Sequence, residues 1–148
     1  MEIKKTLPLV FSELLKTYID KEICICCLEG QMNFFGKLLK VRKNSIILLE
    51  KDKSKYSIAI ENIYCFQPTL AYSLHPETQF TQPNTILSQD LHRYLGKNVI
   101  LRQKCGNACS TEGIIKYIGE DYIVILNHYN KALNYLYADE DLQIFTFE

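Results

Sequence analysis

The chain has 148 residues, 17 basic and 17 acidic, giving a formal net charge of zero. That balance argues against a partner held by bulk positive charge, such as duplex DNA. The 47% apolar share supplies a core and argues against disorder.

No stretch reaches the roughly 20 apolar residues that span a bilayer, so no membrane insertion is expected. Met1-Glu2-Ile3-Lys4-Lys5 is followed only by a short apolar patch, Leu7 to Phe11. A signal peptide needs a longer apolar region and a small-residue cleavage site. The reading is a chain synthesised in the cytoplasm without a signal peptide.

The first expected element is a short amphipathic helix, with Ser12 as its N-cap and Leu14, Leu15, Tyr18 and Ile19 at helical spacing. A strand follows, Glu22 to Leu28, then a turn with Gly30. Phe34-Phe35-Gly36 opens a strand to Val41, its glycine marking a sharp bend. Lys43-Asn44 is a hairpin signal, Ile46 to Leu49 a continuous apolar strand, and a charged loop leads to a closing segment near Phe66. Gln67 to Leu87, with Pro68, Pro76 and Pro83, reads as an ordered or semi-rigid linker.

The same order then recurs. Ser88 takes the cap position before Leu91, Tyr94 and Leu95, and Asn98 to Gln103 is the strand. Gly106 falls opposite Gly30, and Gly113 opposite Gly36 after one inserted residue. Glu120-Asp121 is the hairpin, and Ile123 to Leu126 lies opposite Ile46 to Leu49. Tyr135 to Leu142 lies opposite Tyr56 to Ile63. Four matches in register are an internal repeat. Short strands with turns every eight to twelve residues suggest small barrels, which remove exposed edges by closing. The predicted class is all-β with short N-terminal helices: two tandem Sm-like or SH3-like small β-barrels, at 8–67 and 88–148, joined by the linker 68–87.

Gly36-Lys37-Leu38-Leu39-Lys40-Val41 through Leu48, and Gly113 through Leu126, resemble the strand core of the Sm-like fold. Ala59-Ile60-Glu61-Asn62-Ile63 and Ala138-Asp139-Glu140-Asp141-Leu142 stand where that fold has its second motif. Its RNA-binding members carry Asp and Asn near the hairpin and Arg-Gly in the second motif. Here the Asp position holds Arg42 or Gly119, the Asn position Ser45 or Tyr122, and no Arg-Gly is present. Leu95-Gly96-Lys97-Asn98-Val99 and the Tyr-rich closing segment are more similar to small Sm-like proteins of endospore-forming bacteria, many associated with the spore coat. That resemblance implies a structural protein of a spore coat or spore surface, assembling with itself and with other coat proteins.

Candidate chemistry is sparse. Cysteines 24, 26, 27, 65, 105 and 109 are candidate cross-links: Cys105 and Cys109 flank a Gly-Asn turn, while Cys24 and Cys26 share one strand face and Cys27 the other. The alternative for each is a small buried hydrophobe. Paired zinc knuckles are missing, so no metal or cofactor is expected. His75, His92 and His128 have no motif around them, and no phosphate loop or nucleophile elbow occurs, so no enzyme is expected. Lys37, Lys40, Arg42 and Lys43, near Phe34 and Phe35, form the patch on which an alternative, RNA-binding reading rests. Tyr117, Tyr122, Tyr129, Tyr135 and Tyr137 are a candidate self-association interface. The function expected is a non-enzymatic protein that self-assembles into a homo-oligomer or polymer, in rings or filaments according to whether the rotation closes.

Overall fold

The computed structural model describes residues 3–27, 33–103 and 110–147. A helix α1 (Phe11–Lys16) precedes strands β1 (Glu22–Cys27), β2 (Asn33–Val41), β3 (Ser45–Leu49), β4 (Lys55–Ala59) and β5 (Ile63–Pro68). A helix α2 (Ile86–Leu91) precedes β6 (Asn98–Arg102), β7 (Ser110–Ile118), β8 (Tyr122–Asn127), β9 (Leu133–Tyr137) and β10 (Gln143–Thr146). Gly30 and Gly106, matched in the sequence, lie outside the described residues.

All ten strands form one antiparallel sheet, ordered β10-β6-β7-β8-β9-β5-β1-β2-β3-β4. Within each half the order is fifth, first, second, third, fourth strand. Two tandem small barrels were expected; the strands instead form one continuous sheet that is not closed. Closing the first half would need β5 beside β4. Instead the free side of β5 takes β9, with Cys65 opposite Leu136 and Phe66 opposite Tyr135. The sheet therefore ends in two edges, β4 and β10.

Strand registers establish the equivalence of the halves. Gly36 stands opposite Ile23 as Gly113 stands opposite Val99. The second strand of each half carries a bulge at the same place, between Leu38 and Lys40 and between Ile115 and Tyr117. A bulge adds one unpaired residue and bends its strand, so both halves curl at matching points. At both glycines a Cβ would overlap a backbone carbonyl across the ladder, that of Leu49 or Leu126. The closing strands correct the sequence alignment by one residue. Leu49 pairs with Lys55 and Leu126 with Leu133, so Tyr56 is equivalent to Asn134 rather than to Tyr135.

Two cores lie on opposite faces of the middle strands. One gathers Phe11, Leu14, Leu15, Ile23, Ile25, Leu38, Ile46 and Leu48 with Tyr117, Tyr122, Val124 and Tyr135 from the second half. The other gathers Val99, Leu101, Ile115, Ile123, Ile125 and Leu136 with Tyr64 and Cys65 from the first. Alternate residues of β8 enter different cores, so Ile123 to Ile125 is buried on both sides. In β3 only Ile46 and Leu48 are buried, and Ile47 and Leu49 are half-buried.

The helix caps differ from those expected. Val10, not Ser12, is the N-cap of α1 and offers no side-chain bond. The Phe11 N–H donates instead to Asp121 Oδ1 at 2.7 Å, from the β7–β8 turn. For α2 the cap is Thr85, which accepts from the Ser88 N–H while the Ser88 hydroxyl accepts from the Thr85 N–H. This reciprocal pair satisfies two otherwise orphaned donors. Residues 68–87 are pinned down: Phe80 is buried and bridges Lys5, and the Gln82 amide both accepts from Ile118 N–H and donates to Ile118 C=O.

Gly113→Ala forces a Cβ against fixed backbone and lowers stability by about 1–3 kcal/mol in chemical denaturation. Asp121→Ala removes the cap of α1 and lowers stability by about 1 kcal/mol, whereas Asp121→Asn keeps an acceptor. Burial holds the Asp121 carboxyl above its ordinary range, against the pull of the Phe11 N–H. A raised folded pKa gives stability that is full below the unfolded pKa and lost as pH rises through the folded one. Asp121→Asn therefore gains on the wild type between about pH 4 and pH 7, which denaturation at the two pH values measures.

Candidate functional site

Three features outlast the account of the fold: the two free edges, a thiol pocket beside the β5–β9 join, and a basic row on the first half.

The join is sealed by aromatic rings. Phe66 stacks on Tyr135 with centroids 4.9 Å apart. Phe11 meets Phe66 at 5.5 Å and Tyr137 at 5.3 Å, and Tyr18 meets Phe66 at 5.5 Å. The Tyr18 and Tyr135 hydroxyls bond each other at 3.2 Å, and those of Tyr117 and Tyr122 donate to the carbonyls of Leu7 and Pro8. This places the tyrosines expected at an outward interface. Tyr117, Tyr122 and Tyr135 are fully buried and Tyr137 is half-buried, so they seal the two halves of one chain together. Of the five only Tyr129 is exposed, at 77%, where it donates to Glu112. Alternating strand geometry sends Tyr135 inward, whichever sequence neighbours make it look like part of a surface cluster.

The edges are less sealed than the join. Val124 is fully buried, while its equivalent Ile47 is half-buried. Phe145 is 47% exposed on β10 and Tyr56 is 36% exposed on β4. Lys55 and Ser57 stand on β4 where β9 has Leu133 and Tyr135. A lysine on an edge limits uncontrolled strand addition.

The thiol pocket encloses about 400 Å³. Cys24, Cys26, Cys27 and Cys65 line it from β1 and β5, and the amides of Gln67, Asn127, Asn130 and Asn134 line it from the join. Asn134 and Asn130 both donate to Gln67 Oε1 at 3.1 Å, and Asn127 donates to Asn134 Oδ1 at 2.9 Å. The four described cysteines are free thiols. Cys24 and Cys26 are half-buried on one face, as expected, and Cys27 faces the first core from beyond a register shift. Cys105 and Cys109 lie outside the described residues. Hydrogen bonding among these neighbouring thiols draws the Cys26 pKa down and pushes those of Cys24 and Cys65 up. The amide network was not read from the sequence. Its trace there is the run of asparagines at 127, 130 and 134 around a hairpin.

Lys37, Lys40, Arg42 and Lys43 are all exposed, beside the 62%-exposed Phe35. Among the described residues the one salt bridge is Lys16 to Glu13, so the patch is not internally neutralised. His75, His92 and His128 are exposed. Among the described residues no group of three or more His, Cys, Asp or Glu side chains is placed to hold a metal ion. No described helix is long and apolar enough to cross a membrane. No family model, curated protein or solved structure matches the chain.

Burial keeps the hydroxyls of Tyr64, Tyr122 and Tyr135 protonated beyond the ordinary tyrosine range, and Tyr18 shifts the same way. These raised values give stability that is lost as pH climbs through them. An alkaline absorbance titration should show these tyrosines ionising late, in step with loss of the near-ultraviolet circular dichroism. Ionisation of all ten tyrosines in a single ordinary step, with the fold intact, would contradict the seam.

Proposed function

We propose that the protein is a structural module that polymerises by pairing β10 of one copy with β4 of the next. One observation carries this reading: the two free edges are the repeat-equivalents of the two strands already joined inside the chain. β10 corresponds to β5 through its pairing with β6, and β4 corresponds to β9 through its pairing with β3. An edge presents unpaired N–H and C=O groups that a further strand satisfies. A contact between unlike edges is head-to-tail, so it builds rings or filaments rather than closed pairs.

The internal register supplies the external one. Phe66 opposite Tyr135 translates to Ile144 opposite Ser57, and Cys65 opposite Leu136 to Gln143 opposite Ile58. One step along, Phe145 of one copy meets Tyr56 of the next, where Gln67 meets Asn134 inside the chain. Aromatic cross-strand pairs of this kind contribute about 0.2–1 kcal/mol each. Lys55 and Ser57 make this contact more polar than the internal join, so the assembly is reversible and weaker than the fold. The resemblance of the sequence to Sm-like spore proteins supports a spore coat or spore surface layer as the setting, with other coat proteins as further partners.

A second reading, binding of single-stranded RNA, is supported by the unneutralised row Lys37, Lys40, Arg42 and Lys43 beside exposed Phe35. It predicts salt-sensitive anisotropy with a short RNA, lost when the four charges are removed.

Mass photometry and electron microscopy of the purified chain without nucleic acid test the leading reading. Ordered oligomers or filaments are expected for the wild type. Tyr56→Lys with Phe145→Lys sets like charges opposite each other and should leave monomers with unchanged circular dichroism. Tyr56→Lys with Phe145→Glu should restore assembly. A wild type that stays monomeric over the accessible concentration range sinks the proposal, and so does assembly indifferent to both double variants.

A further inference from the structure

We propose that Cys26 and Cys65 form a thiol–disulfide exchange site: Cys26 attacks a small disulfide entering the pocket beside the join, and Cys65 resolves the product. This goes beyond the polymerisation reading and does not depend on it.

The geometry selects this pair among the described thiols. Cys26 on β1 stands directly opposite Cys65 on β5. Directly opposed residues on antiparallel strands have Cα atoms about 4.5 or 5.5 Å apart. Both spacings fall within the roughly 4.4–6.8 Å that a disulfide accepts. Cys24 is two residues along the same strand, at about 6.7 Å, the far limit of that range. Across the ladders Cys24 faces Phe35 and Gln67 rather than a thiol. Cys27 also lines the pocket but is buried against the first core, and across the ladder it stands opposite Ile63 rather than a thiol. The register shift after Cys26 falls beside the pair and gives the strand local room to adjust.

Access and activation differ between the two sulfurs. Both line the pocket, but Cys26 is half-buried whereas Cys65 is buried. The order of attack follows from this. The neighbouring thiols of Cys24 and Cys65 hold the Cys26 pKa below its ordinary range, which favours its thiolate, the reactive form. The pocket walls offer side-chain amides of Gln67, Asn127, Asn130 and Asn134, which suit the peptide groups of a glutathione-like disulfide rather than an apolar ligand.

The Cys26 thiolate attacks one sulfur of RS–SR, forming Cys26–S–SR and releasing RS⁻. Cys65 yields its proton to the departing thiolate and attacks Cys26 Sγ, which expels the second RS⁻. The pair Cys26–Cys65 is oxidised by two electrons, and the small disulfide is reduced to two thiols. The product staples β1 to β5 at the edge of the join.

The probe is oxidised glutathione, added to the full-length native chain and followed by intact mass and peptide mapping. Wild type should lose two hydrogens and show a Cys26–Cys65 crosslink. Cys65→Ser should instead accumulate one glutathione on Cys26, and Cys26→Ser should leave Cys65 unreacted, each with unchanged circular dichroism. Alkylation of wild-type Cys26 by iodoacetamide gives a readout independent of the variants. Its rate should change less than about threefold between pH 6 and pH 8, where an ordinary thiol changes roughly tenfold per unit. First modification at another cysteine, a crosslink elsewhere, or the ordinary pH slope at Cys26 would overturn the proposal.

Discussion

The pairing of β5 with β9 is the constraint on which the rest of the molecule depends. It is a short ladder, two residue pairs in register, so its backbone bonds alone are a modest gain. What makes it decisive is the ring cluster laid over it, in which Phe11, Tyr18, Phe66 and Tyr135 are nearly or fully buried together. Small units of about 60 residues bury too little surface to be secure alone. Here each half completes the other's core: Tyr117, Tyr122, Val124 and Tyr135 fill the first, and Tyr64 and Cys65 reach into the second. The helix α1, whose first N–H is held by Asp121 from the opposite half, closes the same seam.

The same pairing leaves the molecule with unlike ends. Because β5 is used internally, β10 has no counterpart to meet within the chain, and because β9 is used, β4 has none. A tandem repeat joined once through a fourth and a fifth strand necessarily shows one of each at its outer edges. The outer edges are not copies of the inner ones, however. Substituting Lys55 and Ser57 for the buried Leu133 and Tyr135 keeps the isolated chain from exposing a continuous apolar edge. The thiol pocket lies beside the join because Cys26, Cys65 and the asparagines of the β8–β9 hairpin converge only when β5 and β9 pair.

Much of the fold was legible in the sequence, because it is written in strand-length apolar runs and in turn residues. Gly36 and Gly113 mark equivalent close approaches, and Lys43-Asn44 and Glu120-Asp121 do sit in the hairpins. What the sequence concealed is set by contacts distant along the chain. Ser12 has the right chemistry for a cap, but Asp121 outcompetes it from 110 residues away. Period-two patterning reports that Ile123 to Leu126 is apolar, without telling a strand buried on both faces from the half-open β3. Tyr117, Tyr122 and Tyr135 looked like part of a surface because the tyrosines are closely spaced, and only the shared seam shows that these three are interior. The one-residue slip at Tyr56 arose because identical tyrosines drew the alignment one residue too far.

Residue-resolved hydrogen exchange on the chain kept monomeric by dilution tests the shared join most directly. The amides paired between β5 and β9 should exchange only through global unfolding, with those of β8, while the outward amides of β4 and β10 exchange fastest among the strands. Exchange of the β5 and β9 amides at rates typical of free edges, with each half protected separately, would show two independent units and contradict the account.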